Sequence, residues 1–219
     1  MKILRYIVII ALSGSLGGCA KEEEIVNTAT QVGHSRITFF PVLTLKGDKH
    51  VAVPVGGTYT EPGSTALEGT TTITPTVSGT VNTATPGVYT LTYTATNKDG
   101  FLVTDTRTVA VYATDATAAA NDLSGSYLRE VTGVSASWVK LAPGVYVITN
   151  PGGAATGGSL KVIAFNPTGF TVSIPSQTSS DGNTSSSTNF TYTNGNPATY
   201  TLVFNNPGYG NGVRTFKKI

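Results

Sequence analysis

The chain has 219 residues, a formal charge of +2 and only 12% charged residues. So small a surplus lacks the basic footprint that nucleic acid or an anionic membrane surface attracts, and the single cysteine excludes a disulfide framework or a cysteine-rich metal site. Thr, Val and Tyr favour strands, Gly, Pro and Asn mark turns, and no stretch after residue 20 shows helical periodicity, so the sequence reads as all-β.

Residues 1–18 combine a basic start (Lys2, Arg5), an apolar run from Tyr6 to Leu12 and a small-residue end, which is the pattern of a secretory leader. The run is too short for a membrane span, which needs about 20 apolar residues. Leu16-Gly17-Gly18-Cys19 resembles the lipobox of bacterial lipoproteins. That resemblance implies a diacylglycerol on the Cys19 thiol, cleavage before it, and acylation of the new amine, with palmitate among the chains. Two or three acyl chains anchor stably where one does not. Loss of Lys2 and Arg5 with the leader leaves 12 acidic residues facing 12 basic ones. The acylated thiol is then closed to thiolate chemistry.

Residues 19–36 read as a tether opening on Lys21, Glu22, Glu23 and Glu24. One reading is a solvated charge run that extends the tether by self-repulsion. The other is a resemblance to the surface-export signal of Bacteroides-type lipoproteins, a Lys and acidic residues just after the lipidated cysteine. It implies an outer-membrane protein facing the cell exterior.

Residues 37–113 read as one β domain. Strand candidates are 37–45, 50–55, 71–77, 87–97 and 101–112. In 87–97, Tyr89, Leu91, Tyr93 and Ala95 share one face while Val88, Thr90, Thr92 and Thr94 share the other, which predicts one packed and one solvated face. In 101–112, Asp105 and Arg107 interrupt the face of Val103, Val109 and Val111, which predicts partial burial. Thr85-Pro86-Gly87-Val88-Tyr89-Thr90-Leu91 resembles the tyrosine corner of immunoglobulin-like sandwiches, with Leu91 filling the place of the core cysteine. Gly56-Gly57-Thr58-Tyr59-Thr60-Glu61-Pro62-Gly63, Ala66-Leu67-Glu68-Gly69, the 87–96 strand and Thr108-Val109-Ala110-Val111 resemble the bacterial surface immunoglobulin-like domain, a spacer and binding scaffold and not an enzyme.

Residues 114–122 are small and polar and read as a linker between separable domains. Residues 123–219 read as a second antiparallel β-sandwich or barrel, with strand candidates 125–130, 137–141, 145–150, 160–165, 170–174, 189–193, 199–205 and 213–217. The polar stretch 175–188 has no apolar anchor and reads as a long functional or mobile loop. This part resembles the C-terminal domain of Bacteroides-type lipoproteins of unknown function, through Asp122-Leu123-Ser124-Gly125-Ser126-Tyr127 and 144–154.

No catalytic motif is present, so no enzyme and no cofactor is expected. His34 and His50 read as solvated. Calcium wants six to eight oxygens; Asn97, Asp99 and Asp105 read instead as turn and surface groups, and no metal is expected. Aromatics remain as the chemical resource. Flat rings beside amides suit sugars, which makes Trp138, Tyr127 and Tyr209 the candidate ligand residues, whereas Tyr146 and Tyr200 lie in apolar strands and read as core. Tyr209, flanked by glycines, is the hardest to bury. The expected ligand is a glycan captured at the outer membrane. A protein partner in an outer-membrane complex is the alternative.

Overall fold

A computed structural model describes residues 31–32, 35–156 and 158–219. The leader, Cys19, Lys21, Glu22, Glu23 and Glu24 lie outside the described residues. Within residues 1–38, β1 (Gln31–Val32) and β2 (Ser35–Arg36) form an antiparallel hairpin. Phe39–Ile219 form a second, single compact unit, all-β except for one short helix.

That unit begins with a two-sheet sandwich. Its strands are β3 (Pro41–Leu45), β4 (His50–Pro54), β5 (Ser64–Glu68), β6 (Thr71–Ile73), β7 (Thr76–Ser78), β8 (Gly87–Thr96) and β9 (Leu102–Tyr112). One sheet runs β3-β5-β6, the other β4-β9-β8-β7, with β4 parallel to β9. The 71–77 stretch is two strands and not one. Pro75 has no N–H to give a ladder, so the chain breaks there and passes from one sheet to the other. β5 has no counterpart among the strand candidates. In β8 the period-two pattern is realised: Leu91, Tyr93 and Ala95 are buried. The Tyr89 hydroxyl donates to the Thr85 carbonyl at 2.9 Å, the geometry of a tyrosine corner.

Arg107 departs from expectation. It is fully buried among neighbours that supply acceptors for its guanidinium. Nε donates to the Asp48 carbonyl at 3.0 Å, Nη2 to the Lys46 carbonyl, and Nη1 to the Glu61 carboxylate and to the Tyr93 hydroxyl. A charge can be buried when it is paired and bonded in this way.

The chain then enters α1 (Ala116–Ala120), capped by Asp115, whose carboxylate accepts from the Ala118 N–H at 2.7 Å. Segment 114–122 is docked, not free. The Asp115 N–H donates to the Pro167 carbonyl at 2.9 Å, Ala118 is buried, and the Lys140 ammonium donates to the Ala119 and Asn121 carbonyls. Small side chains dock here because the backbone supplies the bonds.

The remaining strands are β10 (Gly125–Arg129), β11 (Val134–Ala142), β12 (Val145–Thr149), β13 (Lys161–Phe165), β14 (Gln177–Thr178), β15 (Thr184–Thr193), β16 (Thr199–Asn205) and β17 (Val213–Lys218). They form one eight-stranded antiparallel sheet, in the order β13-β12-β11-β10-β17-β16-β15-β14, that curls into a nearly closed barrel. Its two edges, β13 and β14, meet through a side chain. The Gln177 amide accepts from the Ile163 N–H and donates to the Ile163 carbonyl, both at 2.7 Å, so it occupies the place of a ladder partner. Ser180 adds a hydroxyl bond to the Lys161 N–H at 2.9 Å. These bonds satisfy edge groups that would otherwise be exposed templates for pairing.

Two sequence expectations change in the barrel. Residues 170–174 are not a strand: only Ser173 bridges to Phe165, while Val172 and Ile174 turn inward. Asn166 holds that path, its amide donating to the Gly169 and Thr171 carbonyls at 2.9 and 2.8 Å. Residues 175–188 are not a long loop but β14, a turn through Gly182 at φ 80°, and the start of β15. The apolar signal is missing because the buried residues there, Gln177, Ser179 and Ser185, are polar. Ser185 shows how they are satisfied. Its hydroxyl meets Ser179 Oγ at 2.8 Å and accepts from Asn206 Nδ2 at 3.0 Å.

The sandwich and the barrel share a packed seam. Ala110 of β9 is buried with Val145, Val147 and Ile163 from the outer face of β12 and β13, and Ala52, Val88 and Tyr112 pack around them. The seam explains why β12 is buried on both faces and why Val88 is half-buried rather than solvated.

Candidate functional site: a groove at the barrel edge

Alternation along β10 and β11 sends Tyr127 and Trp138 into the barrel. Tyr127 is completely buried and Trp138 is 2% exposed, so neither offers a face to a ligand. This corrects the platform expected from composition: their rings fill the interior. Trp138 lies 5.4 Å from Tyr127, 5.8 Å from Tyr146 and 5.1 Å from Tyr200, ring centre to ring centre, and Tyr200 stacks on Phe216 at 4.5 Å. The Tyr127 hydroxyl donates to the Leu123 carbonyl four residues back at 2.7 Å, the same device as Tyr89 in the sandwich.

Tyr209 is at the surface, but more firmly held than its glycine neighbours suggest. Its ring packs edge-on against Phe204 at 5.0 Å and over the Arg214 guanidinium at 5.4 Å. It also presses on Gly152, where a Cβ would overlap the ring, which is why the Pro151-Gly152-Gly153 loop needs glycine there. Arg214 is anchored by carbonyls, its Nε donating to Gly152 at 3.0 Å. The Tyr209 hydroxyl is buried and has no hydrogen-bond partner among the described residues.

Two recesses flank Tyr209. One, of about 250 Å³, is bounded by Thr156, Ser159, Ser180, Asp181 and Asn206. The other, of about 420 Å³ and more open, is bounded by Thr184, Ser186, Asn205, Asn206 and Asn211. Asp181 organises the wall between them. Desolvation pushes its pKa up, but bonds from Ser179, Asn183 and Asn206 outweigh this and hold it down at about 2. The carboxylate is therefore a fixed anion and not a proton carrier near neutral pH.

The first recess adjoins a third, which shares Ser159 and Ser180 with it. This cleft of about 320 Å³ lies at the Gln177-closed edge of the barrel, between β13 and β14 on one side and Lys49, His50, Thr106 and Thr108 of the sandwich on the other. His50, read from the sequence as solvated, is half-buried here, and its Nδ1 is buried with no partner among the described residues. Burial first, then the positive charges of Lys161 and Lys49, hold its pKa below the ordinary value. Lys49 pairs with the Asp105 carboxylate.

The turn after β8 is built from its own amides. Asn97 Oδ1 accepts from the Asp99 and Phe101 N–H groups at 3.1 and 2.8 Å. Among the described residues no group of three His, Cys, Asp or Glu side chains converges as a metal site would require.

The sandwich, with its tyrosine corner and parallel β4–β9 pair, has an Ig-like architecture. Residues 43–111 match the family described as bacterial surface protein, Ig-like domain. This Ig-like domain supplies one wall of the third recess and, through Ala52, Val88 and Ala110, half of the seam. The chain is also similar to the crystal structure of the lipoprotein BT2262 from Bacteroides thetaiotaomicron, at 24% identity, over 82% of this chain and 100% of that one, with a TM-score of 0.43. No curated protein matches the chain.

The groove residues missed in the sequence share a reason. His50, Lys161, Gln177, Asp181 and Asn206 are scattered over more than half the chain and carry no motif; only closure of the barrel against the Ig-like domain brings them to one groove. The one signal was indirect: a polar stretch too long for an idle loop.

Proposed function

We propose that this protein is a lipid-anchored binding protein of the bacterial outer membrane, facing the exterior, that holds a glycan in the groove beside Tyr209 without transforming it. The observation that carries this reading is Tyr209 itself, a ring wedged between two hydroxyl- and amide-lined recesses with a buried, unpartnered hydroxyl. A sugar offers hydroxyls for such donors and acceptors and C–H faces for the ring. The family match supports a surface location. The Ig-like domain is then part of the binding body and not only a spacer.

Calorimetry of the detergent-purified full chain against a panel of plant, host and microbial oligosaccharides tests this reading. Binding is expected between about 10 µM and 1 mM, since shallow recesses bury little ligand and displace well-bonded water. Tyr209→Ala is expected to abolish it. The same change also removes the contacts with Gly152, Phe204 and Arg214, so the melting temperature falls too, by a few degrees for about 1–3 kcal/mol. Tyr209→Phe keeps the ring and removes only the hydroxyl. It is expected to keep or slightly raise stability and to leave binding nearly unchanged, since the hydroxyl is buried and the ring makes the contact. No signal from any glycan retires the reading.

The lipid anchor is tested separately. Cys19→Ala is expected to abolish incorporation of radioactive palmitate and to release the chain from the membrane fraction; continued labelling would refute the anchor at Cys19.

A second reading, a protein partner, has its own observation. Phe40 and Leu102 are each 65% exposed on the Ig-like domain, and Phe40 packs edge-on with Phe101 at 4.9 Å. Such a cluster suits a partner surface.

A further inference from the structure

The two recesses that adjoin at Ser159 and Ser180 make up a groove whose two ends differ in chemistry. Around Tyr209 it is lined by amides and hydroxyls, with Asp181 bonded to Ser179, Asn183 and Asn206. Beyond Ser159 and Ser180 its character becomes cationic: Lys49 and Lys161 meet there, beside His50 and the hydroxyls of Thr106, Thr108 and Thr178.

The charges in this cleft are not balanced. Lys49 is engaged by Asp105, the one carboxylate paired there. Lys161 is exposed, and its ammonium has no carboxylate partner among the described residues, its other bonds being made by its backbone. Burial first, then the positive charges of Lys161 and Lys49, hold the pKa of His50 below its ordinary value. Its buried Nδ1 is left without a partner. The Gln177 amide is spent on closing the barrel, so the cleft floor is fixed.

We propose that the cationic cleft between the Ig-like domain and the barrel edge seats the carboxylate of an acidic saccharide, a hexuronate unit, whose neighbouring sugars lie toward Tyr209. This rests on the glycan reading above and narrows it to a class. The carboxylate takes a charge-assisted bond from Lys161, the ring hydroxyls meet the threonines and His50, and the volume of about 320 Å³ is at the lower end of small-molecule sites. A neutral sugar leaves the Lys161 charge unmatched. Asp181 faces the neighbouring recess, so the acidic unit is placed at the Lys161 end and not beside Tyr209.

The test is calorimetry of the full chain with oligomers of galacturonate, guluronate and hyaluronan, each beside its carboxyl-reduced, neutral counterpart. At least one acidic oligomer is expected to bind about tenfold or more tightly than its reduced form. Lys161→Gln, at an exposed position that a thermal melt should show to be neutral for folding, is expected to erase that preference, weakening the acidic oligomer about tenfold and the reduced form much less. Equal binding of acidic and reduced oligomers, or a preference that survives Lys161→Gln, overturns the acidic class and leaves the glycan reading standing. If no oligomer of either kind binds and the wider neutral panel does, this inference alone falls. If nothing binds at all, both fall together.

Discussion

Replacing Arg107 with alanine is expected to remove about 3–5 kcal/mol of folding stability, a large share of the roughly 5–15 kcal/mol that holds a domain folded. The cost comes less from the lost attraction than from what is left behind. The Lys46 and Asp48 carbonyls and the Glu61 carboxylate all bond to the guanidinium, and Arg107 is fully buried. Without it these acceptors face a cavity. Urea denaturation reads the loss as a lower midpoint. Arg107→Lys is not expected to rescue, because a single ammonium cannot reach Asp48, Lys46 and Glu61 with the fixed fork of a guanidinium. The network also sets an acid dependence. Partial burial pushes Glu61 up, but bonds from Tyr59, Tyr93, the Gly63 N–H and Arg107 more than offset it and hold the carboxyl below its ordinary value. A depressed carboxyl contributes stability that is fully present above its unfolded value, about 4.3, and is lost as pH falls through the folded one. The parent chain should therefore lose stability on acidification below about pH 4 more steeply than Arg107→Ala does. A midpoint unchanged by Arg107→Ala would show that the network is not buried as described.

How much of this was legible in the sequence depends on whether burial was apolar or polar. β8 and β16 were readable because Leu91 and Tyr93, and Tyr200, Leu202 and Phe204, recur at every second position, separated by Thr92, Thr201 and Val203, and period two needs nothing else. The Ig-like sandwich was legible from 87–96 and its corner at Tyr89. Arg107 was misread because its sequence neighbours give no hint of acceptors that come from residues 46, 48 and 61. β14 and the first half of β15 were misread for a related reason: Ser179, Ser185 and Asn206 bury by hydrogen bonding, which leaves no hydrophobic period. Trp138 and Tyr127 show the reverse error. Aromatic composition alone does not separate a sugar platform from a barrel core, although the alternation of Ala136 and Trp138 with Ser137 and Val139 carried that information. The seam was hidden as well, since Val145-Tyr146-Val147-Ile148 reads equally as a two-faced strand in one core or between two.

Trp138→Ala is expected to cost about 3–5 kcal/mol, the range for emptying a large aromatic site in a core. The barrel has no means to close the gap. Tyr127, Tyr146 and Tyr200 all touch the indole, and each is fixed elsewhere: Tyr127 by the Leu123 carbonyl, Tyr146 by the Asn121 carbonyl at 3.0 Å, Tyr200 by its stack on Phe216. For a chain of this size such a loss lowers the melting temperature by about 6–20 °C. Loss of the indole N–H, which donates to the Tyr200 hydroxyl at 3.4 Å, is a minor part, so Trp138→Phe is expected to restore more than half of the difference. The exposed neighbour Val139 supplies the control. It is 58% accessible on the outer face, and Val139→Ala is expected to stay within about 0.5 kcal/mol of the parent. Circular dichroism melts of the three variants separate core from platform. A ligand platform would give a Trp138→Ala protein that melts with the parent and fails only to bind. A core residue gives one that melts early, whatever is bound. Melting of Trp138→Ala within a degree or two of the parent would place the indole outside the core and return it to the list of ligand residues.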